Sequence, residues 1–382
     1  MKIAVLGANY QYLTFYKQAK ALGYEIISFG RESDDHICST LADKFYDISF
    51  TEKERILEIC KQEGVQGVTS FLIESALPYV YYISRGLGIP CNSVECEALT
   101  KNKYTMREQL LKDKVSIPAY CAVHSADEPH NIPFPMIVKP SDSGGSRGVT
   151  LVHNDNELSN AIHRALEWSP SKTAMLEQFI EGREFSIESI SFEGKHFIVQ
   201  ITDKETTGAP YFVELSHHQP ADITQKQWND IVNLTIETLN SLKVEYGASH
   251  TEIKMDKDGI PYVIEMGARM GGDFIQSDLV KLSTGYDLVK GVLEVSSGVF
   301  NKPVFGKPHK SGVYFLCEET KDRVLPYIQN CKEYDLQEAV VFNNDNLCVK
   351  DNIVYAPIYM VMFIEKKNEV PTYYKVDLSG IV

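Results

Sequence analysis

The sequence predicts a multidomain protein of mixed α/β and α+β class. An open parallel sheet comes first, an α+β body follows, and a small α+β unit closes the chain. Three observations carry this. Residues 1–92 alternate strand and helix, an order that demands parallel pairing with helical crossovers. After residue 134 the strands come in pairs joined by short turns or glycine-rich loops. At 382 residues the chain is too long for one ordinary core, so two to four packed units are expected. Boundaries are expected at 1–92, 93–185, 186–300 and 301–382.

In the first unit Lys2–Leu6 reads as a buried strand, Gln11–Leu22 as a helix stopped by Gly23, and Tyr24–Phe29 as the next strand. Ile56–Glu63 is helical up to Gly64, Gly67–Phe71 is a strand, and Glu74–Arg85 is a helix. The turn after the first strand is Gly7-Ala8-Asn9-Tyr10, not GxGxxG, so a dinucleotide fingerprint is absent.

Composition narrows the class. A net charge of −14 argues against nucleic acid or an anionic membrane as the main partner. Eight cysteines are scattered without a CxxC pair or metal-finger spacing, which fits reduced thiols in a cytoplasmic protein. The start, MKIAVLGANY, reads as a strand and is not expected to be a signal peptide. No apolar run approaches the ~20 residues of a membrane-spanning helix.

The chemistry is concentrated in His250–Gly272, HTEIKMDKDGIPYVIEMGARMGG, two strands joined by a turn. Each strand carries a carboxylate, Glu252 and Glu265, beside residues suited to a core. With a four-residue turn Asp256–Gly259, Met255 pairs with Ile260 and Glu252 with Val263. Glu265 then shares the face of Glu252 one diagonal step away, roughly 7–8 Å between Cα atoms, and His250 faces Glu265. Two such carboxylates hold a cation between them or belong to a solvated sheet face. Magnesium takes one or two carboxylates plus substrate phosphates.

Upstream, LTKNKYTMREQLLKDKVSIP (99–118) reads as one helix opened near Thr100, with Lys101 and Lys103 at its start. Cations there oppose the helix dipole, so a nearby anion would help them. In FPMIVKPSDSGGSRGVTLV (134–152), a strand ending at Lys139 leads into the loop Ser141–Arg147. Gly144 and Gly145, flanked by Ser143 and Ser146, allow backbone N–H groups to approach phosphates. This is no Walker loop, since GxxxxGK[ST] is missing and a strand follows. The bland alternative is a flexible hairpin. In AMLEQFIEGREFSIESI (174–190), Glu177, Gln178 and Ile180 lie on an extended linker suited to an adenine, and Glu184 could accept ribose hydroxyls.

PYFVELSHHQPAD (210–222) holds Glu214, His217 and His218. Adjacent residues on a strand point to opposite faces, so a substrate or structural role is favoured over a shared metal. Lys226–Leu242 is an amphipathic helix, and residues 278–298 read as helical. The tail has β-rich stretches Gly312–Cys317, Ala339–Phe342 and Ile353–Ile364 and a helix near Lys321–Cys331.

From Met1 to about Phe300 these motifs, in this order, resemble the ATP-grasp superfamily of carboxylate–amine ligases. The resemblance implies a pre-ATP-grasp sheet followed by an ATP-grasp fold of two α+β subdomains. It implies that Lys103 and Lys139 contact ATP phosphates and that Ser141–Gly148 is the closing loop. Glu177 would lie near the adenine amino group, the backbone of Gln178 and Ile180 would form the hinge, and Glu184 would bind ribose. Glu252 and Glu265 would hold magnesium, or manganese in its place, and Arg269 would neutralise the transferring phosphoryl group. Many members read Glu-x-Asn-x-Arg, whereas here the run is Glu265-Met266-Gly267-Ala268-Arg269, so a third metal ligand is missing. HTEI and ARMGG are similar to the branch of L-amino-acid ligases and dipeptide synthetases. That branch implies an ADP-forming enzyme joining a small-molecule carboxylate, such as an amino acid, to an amine. The alternatives are a carboxylase-like enzyme acting on bicarbonate and a nucleotide-binding regulator without turnover. Glu214, His217, His218, His250, Gly271 and Gly272 are the candidates for the substrate pocket. A homodimer is compatible with the resemblance.

Overall fold

The computed structural model describes residues 1–31, 36–209, 212, 214–316, 334–336, 349–350, 353–354 and 359–365. The first sheet is built from β1 (Lys2–Leu6), β2 (Glu25–Gly30), β3 (Lys44–Asp47) and β4 (Gly67–Thr69), ordered β3-β2-β1-β4 and parallel throughout. β3 was not apparent in the sequence. Its four residues, KFYD, are partly exposed at the sheet edge, and so short a charged run gives no clear alternation. Helices α1 (Leu13–Ala21), α2 (Lys53–Glu63) and α3 (Leu77–Leu87) cover the sheet. Pro78 occupies the first turn of α3, and the expected start at Glu74 is a separate 3-10 turn, Glu74–Ala76.

The single helix expected over 99–118 is two helices, α4 (Val94–Thr100) and α5 (Lys103–Lys112). Asn102 breaks the run. Its backbone is extended and its side chain accepts from the N–H groups of Tyr104 and Thr105, capping α5. Lys103 is thereby the first residue of a helix.

A second sheet, antiparallel, holds β5 (Tyr120–Val123), β6 (Met136–Pro140), β7 (Thr150–Val152) and β8 (Ala174–Gln178) in the order β5-β8-β6-β7. Helix α6 (Asp155–Trp168) packs on it through Leu158, Ala161, Ile162 and Ala165.

The central sheet contains β9 (Gly182–Phe192), β10 (Lys195–Thr206), β11 (Glu214–Gln219), β12 (Gly247–Asp256) and β13 (Pro261–Gly267). Its order begins β13-β12-β9-β10-β11. Phe185, Ile187, Ile201, Ile253 and Val263 pack with Ile231 and Leu234 of α7 (Gln225–Ser241) and with Met106 and Leu110 of α5. By alternation the opposite face carries Glu184, Glu188, Lys204, His250, Glu252 and Lys254. The helical region after β13 is broken at Gly285 (φ 74°), giving α8 (Val280–Thr284) and α9 (Leu288–Ser296). α9 is a wedge between sheets, since Leu288, Val289 and Val292 share one core with Ile3, Val5 and Phe15 of the first unit.

β14 (Ser311–Leu316) continues the central sheet beside β11. β15 (Tyr334–Leu336), a hairpin of β16 (Val349–Lys350) with β17 (Ile353–Val354), and β18 (Tyr359–Glu365) follow. β18 pairs with β14, and β15 with β18. The helix expected near Lys321–Cys331 and the strand expected at Ala339–Phe342 lie outside the described residues. Among the described residues no helix is long and apolar enough to cross a membrane.

Candidate functional site

A cleft opens between the second sheet and the charged face of the central sheet. Lys139, the loop residues Ser143, Gly144, Gly145 and Ser146, and Gln178, Phe179 and Ile180 line it from one side. Glu184, Lys204, Glu214, His250, Glu252, Lys254, Glu265 and Arg269 line it from the other, and Lys103 and Glu74 close the end.

The carboxylate pair is tighter than the sequence suggested. Asp256–Ile260 form a five-residue turn, with Asp256 N–H bonded to the Ile260 carbonyl at 3.0 Å, so Met255 pairs with Pro261 and not Ile260. Ile253 then faces Val263, and the ladder skips Ile264, so Glu252 faces Glu265 directly. The bulge is what keeps Glu265 on the Glu252 face, because a shift of one residue inverts every side chain beyond it. A four-residue turn without a bulge would have left the two on a diagonal, with His250 opposite Glu265. His250 instead faces Gly267.

Each carboxylate has its own lysine. Lys204 Nζ lies 2.8 Å from Glu252 Oε1, and Lys103 Nζ lies 2.9 Å from Glu265 Oε1 and 2.9 Å from the Ser143 carbonyl. Lys204 also meets Glu184 at 3.1 Å and Glu214 at 2.9 Å while its side chain is 2% exposed. Burial opposes its charge, but the carboxylates of Glu214, Glu252 and Glu184 outweigh it and hold the ammonium well above its ordinary value. Burial likewise opposes ionisation of Glu252, yet Lys204 and His250 keep it well below the ordinary range. For Lys103 the pull of Glu265 exceeds the cost of burial, and its value rises.

The oxygen donors of Glu252 and Glu265 suit a hard divalent cation. The missing third ligand has a spatial counterpart. A Cβ built on Gly267 would lie 3.4 Å from Cγ, Cζ and Nε of Arg269, so Arg269 folds across that position. Arg269 Nη2 sits 3.9 Å from Glu74 Oε2, and its Nε has no partner. Burial and the nearby Glu265 raise Glu74 above the ordinary carboxylate value.

Glu177 is not free to meet a ligand. Its carboxylate is buried between Arg107 (Nε to Oε1, 3.0 Å) and Lys139 (Nζ to Oε2, 2.7 Å). Against the cost of burial, Arg107 and Lys139 hold Glu177 below its ordinary value. One carboxylate serves two cations, so Lys139 gains less than burial and the neighbouring Arg107 and Lys103 take away, and its value falls.

The glycine loop is anchored at its base. Ser141 N–H bonds to the Thr173 carbonyl, and Lys103 N–H to the Ser141 carbonyl at 2.7 Å. At the tip Gly145 (φ 68°) and Ser146 (φ 54°) are left-handed. The Gln178 N–H is bonded to the Ala119 carbonyl at 2.8 Å, so this hinge amide is already engaged. Phe179 and Phe212 stand 6.4 Å apart with their rings tilted by 51°, and Lys254 Nζ lies 5.0 Å from the Phe179 ring centre, giving this side of the cleft an aromatic lining.

A further group lies on the other flank of Glu214. The β10–β11 ladder skips Leu215, which turns Glu214 toward the side of His217. His217 is fully buried, with Nε2 3.4 Å from both Glu214 and Asp273 and no hydrogen bond to either ring nitrogen. The ligand atoms of Glu214, His217 and Asp273 lie within 4.8 Å of one another. His218 projects from the opposite face, 3.2 Å from Ser216 Oγ, and does not border the cleft. His250 Nδ1 is 3.0 Å from buried Glu188, which Gln276 also contacts. Burial opposes the His250 charge, but Glu188 and Glu252 raise it to about 9. Gly271 is required by this pair, since a Cβ there would lie 2.6 Å from His250 Nδ1, whereas Gly272 has open space. Neither glycine borders the cleft itself.

Glu74, Arg107, Glu188 and Lys204 were not apparent in the sequence. Each is a charged residue in a helix, strand or turn that also suits a solvated surface, and the one signal that could have found any of them is the alternation of Glu184, Ser186 and Glu188 along β9.

Residues 132–278 match the family model of the ATP-grasp domain. Dapdiamide A synthase of Enterobacter agglomerans is 29% identical over 198 residues, 47% of this chain and 45% of the relative. Carnosine synthase 1 of Homo sapiens is 24% identical over 302 residues, 70% of this chain and 36% of the relative. The chain spans half or less of the length of these curated relatives. The crystal structure of L-amino acid ligase from Bacillus licheniformis superposes with a TM-score of 0.79 at 22% identity, covering 98% of both chains. The chain therefore carries an ATP-grasp domain. Over nearly its whole length it has the fold of that ligase structure, with the parallel N-terminal sheet preceding the ATP-grasp fold.

Proposed function

We propose that this protein is an ATP-dependent, ADP-forming ligase that joins the carboxylate of an amino acid to an amine through an acyl phosphate. The observation that carries this is one cleft in which Glu252 and Glu265 face each other with Lys103, Lys139 and Arg269 around them. The names of the relatives support the amino-acid class.

Glu252 and Glu265 are assigned to magnesium, with manganese as a substitute, an ion that when bound draws electron density from the phosphate oxygens. Phe179 and Phe212 flank the adenine, Gln178 and Ile180 bound it, and Glu184 receives the ribose hydroxyls. Glu177 acts one step back, holding Lys139 toward the phosphates. A substrate carboxylate oxygen attacks the γ-phosphorus, the bond to the bridging oxygen breaks, and ADP leaves. Lys139 and Arg269 meet the charge that develops on the phosphoryl oxygens. The amine then attacks the acyl carbon and expels phosphate. Closure of Ser141–Gly148 keeps water from the acyl phosphate. Glu214 and His250 are assigned to the substrate end of the cleft, with His217 buried behind Glu214. Buried free thiols at Cys60 and Cys96 support a reducing, cytoplasmic setting.

Phosphate release measured across a panel of amino acids and amines tests the reading. It is expected to require an amino acid and to be indifferent to bicarbonate. Release that requires bicarbonate instead places the protein with carboxylase-like enzymes. Nucleotide binding without release under any combination makes it a regulator.

A further inference from the structure

Among the described residues Arg107 heads the fully enclosed side chains by size, and the chemistry proposed above does not call for it. Its guanidinium sits where three segments meet. Nε and Nη2 donate to the two oxygens of Glu177 at 3.0 and 3.3 Å, and Nη2 also donates to the Ile264 carbonyl at 2.7 Å. Glu177 in turn holds Lys139 at 2.7 Å.

Ile264 is the residue that the β12–β13 ladder skips. A bulged residue stands outside the regular ladder, and the half-buried carbonyl of Ile264 takes a donor from elsewhere. Arg107 supplies one. Without the bulge, pairing continues in step from Ile253–Val263, Glu252 faces Ile264, and Glu265 turns to the apolar face. A rigid planar fork can meet both oxygens of one carboxylate and a carbonyl at once in a fixed geometry, which the single nitrogen of an ammonium does not reproduce.

We infer that Arg107 is a positioning residue that pins the Ile264 bulge, so that Glu265 faces Glu252, and through Glu177 ties this pair to Lys139. The inference rests on the assignment of Glu252 and Glu265 to a divalent cation.

Calorimetric titration of the full chain with ADP, with and without Mn2+, tests it. In the wild type Mn2+ is expected to tighten ADP binding. Arg107→Lys keeps a cation beside Glu177 but loses the fork. The Mn2+-dependent gain should fall by about 10–100-fold, the range for partners standing behind metal ligands, with metal-free ADP affinity little changed. Equal weakening with and without metal means a merely structural role and overturns the inference. Glu265→Gln should lose the same gain, and the double variant should lose no more than either single one. If the wild type gains nothing from Mn2+, or Glu265→Gln keeps the gain, the cation assignment itself fails and takes the inference with it. If Glu265→Gln loses the gain and Arg107→Lys keeps it, only the role of Arg107 is wrong. Should Arg107→Lys fail to fold, a crystal structure of the wild type with ADP and Mn2+ decides. An ion on both carboxylates with Arg107 bonded to the Ile264 carbonyl supports the inference, and an ion held there with Arg107 turned away overturns it.

Discussion

Glu252 faces Glu265 across the β12–β13 ladder because the pairing skips Ile264. Lys204 and Lys103 hold the two carboxylates from opposite sides, so neither carboxylate is left without a counter-charge. Adding Mg2+ and ADP at about 100 times Kd should stabilise the folded state by about 2.7 kcal/mol. Glu265→Gln should keep the rise given by ADP alone and lose the increment given by the metal. Thermal unfolding of both proteins with ADP, with and without Mg2+, reads the difference.

Arg269 lies over Gly267 and reaches toward Glu74. Its removal takes charge stabilisation from the transition state and leaves the nucleotide contacts in place. Arg269→Ala should bind ATP nearly as the wild type does and lose at least ~100-fold in turnover. Steady-state kinetics beside equilibrium binding checks this, and near-normal turnover contradicts the assigned role.

Gly271 and Gly272 are adjacent but not equivalent. A Cβ on Gly271 meets the His250 ring at 2.6 Å, and one on Gly272 meets nothing within 4 Å. Gly271→Ala should cost about 1–3 kcal/mol, as overpacking typically does, because the His250–Glu188 pair must shift. Gly272→Ala should fall within about 0.5 kcal/mol of wild type. Urea unfolding of the two variants is the comparison.

Glu177 is held below its ordinary value by Arg107 and Lys139 in spite of burial. A carboxylate depressed in the folded state contributes stability above its unfolded value, and that contribution is lost as pH falls through the folded value. Glu177→Gln strands two buried cations and should cost about 3–5 kcal/mol at pH 7. The gap between wild type and variant should narrow as pH drops below the ordinary carboxylate value. A gap that stays constant down to the acid transition contradicts the ion-pair account.

Much of this site was legible in the residues. The order of Lys103, Lys139, the glycine loop, Glu184, Glu252, Glu265 and Arg269 survives as one cleft lining. What the sequence hides is register. A bulge costs one residue and leaves no mark on alternation short enough to read, so Ile264 and Leu215 gave no signal, although they aim Glu265 and Glu214. Partnership is hidden for a similar reason. Lys204 reads as an ordinary strand lysine until three strands bring Glu184, Glu214 and Glu252 around it. Adjacent His217 and His218 read alike in the sequence, and only the strand's alternation separates a buried ring from one on the outer face.

The central claim is that a carboxylate oxygen becomes a phosphate oxygen on the way to the amide. An amino acid labelled with 18O in both carboxylate oxygens, incubated with the protein, ATP, Mg2+ and an accepting amine, tests it directly by mass spectrometry. The account predicts ADP, an amide, and inorganic phosphate carrying one labelled oxygen per turnover. Unlabelled phosphate, or label recovered in AMP, contradicts it.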